Sequence, residues 1–547
     1  MKFKQPNFYF HTFISFIFYL ILLCSCSDHV HQDKKIFHYN EQTGIASLDP
    51  AFAKNQSIMW AIHQLYNTLV EVDDQLTIRP SLAKRWEVST DQLVFTFHLR
   101  TDVYFHDSPV FADGKGRLLT AKDVAYSLGR ITNANVASPG AWIFNNRIDS
   151  AIGFSVLNDS TFQLKLLRPF QPILGILSMQ YCSIVPKEAV DKYGDDFRRN
   201  PVGTGPFEMI TWVEGQALLF KKNERYFEKD SSGIQLPYLD GVKISFFESK
   251  ATEFLEFQQQ RLDFINDIDA SFKDEILTKT GRLKKQWEGK LLLQKHDYLN
   301  IEYLGILVDT TNSLVQKSPL RLQKIRQAIN YGFDKNKMML YLRNSIGTAA
   351  TSGFVPAGMP SFDSSVVKGY QFDAKKAVQL LEEAGFAGGK NLPSIKLLTI
   401  PIYSDLAAYI ANELNLIGIH IQVEVVQKSL LLEQTSKSQA LFFRGSWIAD
   451  YPDAENFLGV FYGKNPSPPN YTRYNNVKYN QLYEQAIAEK SDSIRYQLYR
   501  KMDQLIMIDA PVVPLWYDMA IHLVHTNIEN FNPNSLNLLE LRKVIKK

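Results

Sequence analysis

The periodicity of apolar residues predicts a mixed α/β protein of several lobes, and three observations carry that prediction. Strand-like and helix-like patterns alternate along the chain instead of segregating. Two strand–helix–strand units, at 243–268 and 394–426, lie far apart, so at least two lobes each need a sheet. The chain has 547 residues, 45% of them hydrophobic and 21% charged. At about 150 residues per domain that is too long for one core and too apolar for disorder.

The N-terminus sets the compartment. Lys2 and Lys4 precede the apolar run FYFHTFISFIFYLILL, Phe8 to Leu23, the pattern of a secretory signal. It ends in Leu23-Cys24-Ser25-Cys26, which looks like a bacterial lipobox with Cys26 as lipidated mature N-terminus; an uncleaved membrane helix is the alternative, since the run is near the lower length limit for a span. Residues 1–25 are therefore expected to be removed, and 26–35, polar and without apolar period, to form a tether. Cleavage deletes two Lys and no acidic residue, taking the net charge from +3 to +1. Apart from Cys26 the mature chain keeps Cys182 as its one thiol, so no intrachain disulfide is expected between the lobes.

Further on, LVFTFHLR (Leu93 to Arg100) alternates with the period of a strand. FEMITWV and ALLFKKN flank Glu214-Gly215-Gln216 and predict a hairpin. KISFFE, ATEFLEFQQQ and DFINDI form the first strand–helix–strand unit. SIKLLTI, a helix around Leu406 to Leu416 and IHIQVEVV, with Ile419, Ile421, Val423 and Val425 on one face, form the second; both imply parallel pairing through a crossover. In SPLRLQKIRQAIN, Ser318 is placed as cap and Pro319 as first helical residue, with Leu322, Ile325 and Ile329 as the apolar stripe. In DAKKAVQLLEEAGF, Asp373 caps, Ala377, Leu380, Leu381 and Ala384 face inward and Gly385 stops the helix. SIRYQLYRKMDQLIMID is a third helix, ended by Ala510-Pro511.

Chemistry-bearing motifs are scarce. No Gly-x-Ser-x-Gly elbow, His-Glu-x-x-His helix or Walker loop occurs, and three Cys are too few and ill-spaced for a zinc site. VGTGPF, Val202 to Phe207, lacks the Lys-Ser/Thr of a phosphate loop and carries Pro206 where an anion nest needs an N–H, so it reads as a structural turn. His522 and His525 have metal spacing only on a helix, whereas LWYDMAIHLVHT reads as a strand. No basic stripe suggests a nucleic-acid partner. No catalytic residue, metal or cofactor is expected.

GSWIADYPDAENF, Gly445 to Phe457, sets Asp450, Asp453 and Glu455 among aromatic and aliphatic residues. With it, LYNTLVEVDDQLTIRPSLAKRWEVSTDQLVFTFHLRTDVYFHD (65–107), LTAKDVAYSLGRI (119–131), PVGTGPFEMITWVEGQALLFKKNERYF (201–227), IRQAINYGFDKNKMM (325–339), FDAKKAVQLLEEAGF (372–386) and DAPVVPLWY (509–517) occur in the order found in one family. Over nearly its whole mature length the chain resembles the extracytoplasmic solute-binding proteins of family 5, the oligopeptide- and dipeptide-binding proteins of ABC importers. It departs from them in a longer loop, FADGKGRL (111–118), and in lacking the disulfide of some members.

The resemblance implies a type II periplasmic-binding-protein fold, two α/β lobes around a hinged cleft with an extra inserted α/β domain: lobe I at 36–65, 190–300 and 512–547, the inserted domain at 66–189 and lobe II at 301–511. It implies a lipid-anchored, monomeric receptor that passes peptides to an ABC permease in the cytoplasmic membrane, and no enzyme. Asp450 matches an Asp that receives a ligand's ammonium group, Arg444 an Arg that can meet a ligand carboxylate, and Trp447 a pocket wall. Ser446 and Ile448 match positions whose backbone pairs with an extended peptide. Asp453 and Glu455 read as helix-start charges, Tyr403 and Tyr451 as packing. Nickel chelates, haem, sugars and opines are alternative solutes within the family; an envelope hydrolase or an adhesion lipoprotein are alternatives outside it.

Overall fold

The computed structural model describes residue 1 and residues 34–149 and 151–547. The secretory signal, Cys26 and the tether up to residue 33 lie outside the described residues. Among the described residues the strands form sheets of four, seven and four strands and two small ribbons.

LVFTFHLR contributes the strand Val94–Leu99, whose Phe95 and Phe97 are buried in a four-stranded antiparallel sheet drawn from 83–165. The predicted hairpin is Phe207–Val213 with Ala217–Lys222, turned at Gly215 with φ +71°, a conformation that favours glycine. It extends through Gly241–Ser245 to Ile36–Asn40, the last pair being parallel. The unit KISFFE to DFINDI departs from expectation: its two strands do not pair. Gly241–Ser245 lies beside Ile36–Asn40, while Phe264–Asn266 joins the larger sheet and the Asp263 N–H reaches the His38 carbonyl at 2.8 Å. The crossover skips one place, which a strand from the far N-terminus fills.

The seven-stranded sheet runs Phe264–Asn266, Val512–His525, Leu291–Ile306, Phe442–Ile448, Ile395–Thr399 and Ile421–Val425, with Thr348–Ala349 beside Val512–His525. Here the second unit pairs in parallel as predicted, Ile395 opposite Ile421, across the helix Ser404–Leu416. Val425, expected to share the buried face, is 48% exposed, because burial fades along this edge strand. The two longest strands, Leu291–Ile306 and Val512–His525, slip register between Asp297 and Ile301. Before the slip Leu291, Ile521 and Leu523 pack with Phe254 and Phe257; beyond it Leu304, Val513, Leu515 and Trp516 pack with Ile325 and Leu397. Two cores thus share two strands, and the chain passes between them at an irregularity.

Asp373 accepts from the Lys376 N–H at 2.9 Å to open the helix Ala374–Glu383, and Gly385 at φ +91° follows its end. The helix Asp492–Asp509 ends at Ala510, left-handed before Pro511. SPLRLQKIRQAIN differs: Ser318 caps only a 3₁₀ turn, Pro319–Arg321, Leu322 is extended, and the α-helix is Gln323–Tyr331. Ile325 and Ile329 remain fully buried on it.

VGTGPF is a close approach of backbones. A Cβ on Gly203 would stand 2.0 Å from the Leu65 carbonyl oxygen, and one on Gly205 2.3 Å from the Leu65 carbonyl carbon. His106 spans the turn, its Nδ1 accepting from the Gly203 N–H at 3.3 Å and its Nε2 lying 3.0 Å from the Gly205 carbonyl. The segment pins the helix Gln56–Leu65, which forms a wall of the cleft.

Lys335 gives the fold a pH signature. It is 3% exposed and donates to the Ala350 carbonyl at 3.0 Å, and burial lowers its pKa from 10.5 to about 7. The unfolded chain keeps the ordinary value, so between pH 7 and about 10 the unfolded state holds the extra proton and stability rises with pH. Urea titrations across that window should show the rise in the native chain and a flatter profile in Lys335→Met. An identical slope in both would assign the effect to another group.

Candidate ligand-binding cleft

A cavity of about 550 Å³ opens where four segments meet: 54–72, 178–183, 448–450 with Tyr298 and Lys428, and 536–542. The helix Gln56–Leu65 is tied to the C-terminal segment by side-chain donors, Trp60 Nε1 to the Asn537 carbonyl and Gln64 Nε2 to the Leu539 carbonyl, both at 2.7 Å. One wall is a buried ion cluster. Arg542 donates to Glu71 at 3.0 Å and to Glu228 at 2.8 Å and lies 3.1 Å from Glu540, which His63 also meets at 3.3 Å. Burial favours the neutral acids, but Arg542 and His63 overcome it at Glu540, held at about 2, whereas burial wins at Glu228, pushed up to about 7.

Asp450 borders the same cavity, just past the strand Phe442–Ile448, and is exposed. Asn456 holds it from both ends: its Nδ2 donates to the Asp450 carboxylate at 3.2 Å and its Oδ1 accepts the Asp450 N–H at 3.3 Å. The same Oδ1 accepts from Trp447 Nε1 at 3.0 Å. Desolvation by the surrounding protein raises the Asp450 pKa, Asn456 opposes the rise, and Glu455 adds repulsion. No Lys, Arg or His among the described residues forms an ion pair with it, so its charge is uncompensated.

The other two carboxylates of the stretch are structural. Asp453 accepts from the Glu455 N–H at 2.9 Å and from the Tyr499 hydroxyl at 2.7 Å. Glu455 opens the short helix Glu455–Leu458 and accepts from the hydroxyls of Tyr451 and Tyr483. Both are buried, at 8% and 4% exposure, and neither borders the cavity.

The strand leading to Asp450 has an open edge. Ala449 N–H bonds the Leu299 carbonyl, and the Leu307 N–H bonds the Leu441 carbonyl, so the odd residues of Phe442–Ile448 point their backbone groups at Leu291–Ile306. Ser446 and Ile448 therefore point theirs to the opposite edge. There Ile395–Thr399 pairs only at Leu398 opposite Phe443, leaving the edge beyond uncovered by any described strand. Ile448 also borders the cavity, and Trp447, half-buried, braces the loop through Asn456.

Arg444 is placed differently from the others. Its guanidinium pairs with Glu302 and stacks on Tyr403 at 4.0 Å, with the two charged side chains 12% and 5% exposed. Burial raises Glu302 to about 7 against the pull of Arg444. The carboxylate that Arg444 meets in this structure belongs to the chain itself, and the residue does not border the cavity. Lys54, Lys428 and Trp60 carried no sequence signal, because they come from segments that only the fold brings together, whereas Asn456 lies within the quoted stretch and only its hydrogen bonds were not legible there.

The family model of bacterial extracellular solute-binding proteins, family 5 (middle region), matches residues 77–469. The chain belongs to this family. The dipeptide-binding protein of Escherichia coli strain K12 is 26% identical over 492 residues, covering 85% of this chain and 86% of its own. The heme-binding protein A of Haemophilus influenzae is 26% identical over 486 residues, covering 86% and 84%. Among solved structures, HbpA2 from Haemophilus parasuis superposes with TM-score 0.82 at 23% identity, covering 94% of this chain and all of that one, and DppA from Helicobacter pylori in complex with the peptide STSA with 0.73 at 24%, covering 93% and 98%. The architecture of this family 5 protein is the α/β periplasmic-binding-protein fold. No helix among its described residues is long and apolar enough to cross a membrane.

Proposed function

We propose that this family 5 protein is a lipid-anchored extracytoplasmic receptor that captures peptides by their amino end and delivers them to an ABC permease. The observation that carries the reading is Asp450, an uncompensated carboxylate on the cavity wall at the end of an uncovered strand edge. An extended peptide pairing with the backbone of Ser446 and Ile448 brings its ammonium group to that carboxylate. Backbone pairing accepts any sequence, and the carboxylate selects for the free amine. The relatives named for peptides and dipeptides agree with this chemistry.

The same reading divides the chain into lobe I, the inserted domain (66–189) and lobe II, with the register slip near 298–300 as the hinge between the two lobes. It shifts the last boundary from 511 to about 518, since Val513, Leu515 and Trp516 pack in the second core. Closure around the ligand is a shift between open and closed populations, and the permease recognises the closed one. Anchoring rests on Cys26 and the tether.

Mass spectrometry of ligands retained through native purification tests the function, followed by calorimetry with a free and an N-acetylated version of the retained peptide. Peptides with free amino ends, weakened by acetylation, are expected. Recovery of a porphyrin, a sugar or a metal chelate without an amine would overturn the peptide assignment.

A further inference from the structure

The charged side chains around the cavity fall into two groups. His63, Glu71, Glu540 and Arg542 bond to one another. Lys54, Lys428 and Asp450 border the same cavity, and none of the three forms an ion pair with any described residue. The two lysines, moreover, make no side-chain hydrogen bond to any described residue. They come from separate elements: Lys54 precedes the helix Gln56–Leu65, and Lys428 is the first residue of the helix Lys428–Ser436.

We propose that Lys54 and Lys428 select ligands carrying a second carboxylate, so that the preferred peptides have an acidic side chain in addition to their two termini. The inference deepens the peptide reading and rests on it. In an open cleft both ammonium groups are hydrated and need no partner. When the walls approach around a ligand, water leaves and every cation left without an anion opposes closure. One free anion and two free cations are complemented by one ammonium group and two carboxylates, the charge pattern of a peptide with one Glu or Asp. The amide counterpart matches its shape and leaves one lysine unpaired, so the discrimination is electrostatic.

Calorimetry with Ala-Glu-Ala and Ala-Gln-Ala, and with Ala-Glu and Ala-Gln, tests the proposal on the purified chain. The Glu member of the binding pair should be favoured about fivefold, the scale of one partly exposed ion pair, and the preference should weaken with added salt. In Lys54→Met/Lys428→Met the Glu-to-Gln ratio should fall to about one. A ratio near one in the native chain, or an unchanged ratio in the double variant, would overturn the lysine proposal alone, provided that N-acetylation still weakens binding. Failure of all four peptides to bind the native chain would strike the peptide reading itself and this inference with it.

Discussion

Arg542→Met is expected to lower the unfolding free energy by about 3–5 kcal/mol, because it breaks a buried ion cluster from its centre. The guanidinium is 9% exposed and joins three separate parts of the chain, Glu71 of the strand Val70–Val72, Glu228 beyond the central hairpin and Glu540 of the C-terminal segment, and donates to the Tyr226 hydroxyl at 3.2 Å. A methionine keeps much of the volume and leaves three carboxylates facing each other. The deficit depends on pH in a defined direction. In the native chain Glu540 is held at about 2, below its ordinary 4.5, so its contribution is present above the ordinary value and is lost as pH falls toward 2. In the variant Glu540 and Glu228 lose the Arg542 charge that opposed their burial, so stability is expected to return as they are protonated. Denaturation of the two proteins should therefore diverge at neutral pH and converge toward pH 4. Adding Glu228→Gln to the variant should recover part of the loss, since that acid is already pushed up to about 7. Equal stability of native chain and variant at pH 7 would mean that the cluster has no net role.

How far the sequence reveals this molecule depends on how local each signal is. Alternation in LVFTFHLR and the Asp373 cap with Gly385 are local, and both elements stand where the pattern puts them. The helix in SPLRLQKIRQAIN fails at its start because Ser318 and Pro319 suit a 3₁₀ turn as well as an α-helix, and the extended Leu322 separates the two. The strands of KISFFE and DFINDI are legible, but their neighbour Ile36–Asn40 comes from some two hundred residues earlier, and periodicity says nothing of partners. Register has the same limit. Glu302 reaches Arg444 diagonally across two strands, a relation fixed only once Leu304 is set opposite Arg444. The cleft is the least legible part. Asp450 is marked in the sequence by its apolar surroundings, as Asp453 and Glu455 are, and set apart from them only through the ordered family segments, while Lys54 and Lys428 look like any surface lysines until the fold sets them on one cavity.

Asp450→Asn is expected to weaken binding of peptides with a free amino end on the order of a hundredfold or more, the cost of leaving one partner of a desolvated pair alone. The substitution keeps shape and a hydrogen-bonding oxygen for Asn456, so the lost quantity is charge. The site meets two requirements of that argument. No described cation already pairs with the carboxylate, and desolvation by protein around the loop raises its pKa, so a visiting cation is expected to favour the charged form. On the proposed reading the exposure of Asp450 on the cavity gives that cation its entry path, and closure of the lobes would supply the desolvation that makes the pair selective. An N-acetylated peptide has no ammonium charge to pair with Asp450, so native chain and variant should bind it with the same low affinity; the difference between the two ligands isolates the ammonium–carboxylate coupling. The pH profile follows from the same group. Native affinity should fall as acid protonates Asp450 through its raised pKa, and the Asn variant should show no such fall. Calorimetry at two pH values with both ligands measures all of this, and an Asn variant that binds the free-amine peptide as tightly as the native chain would remove Asp450 from the binding site.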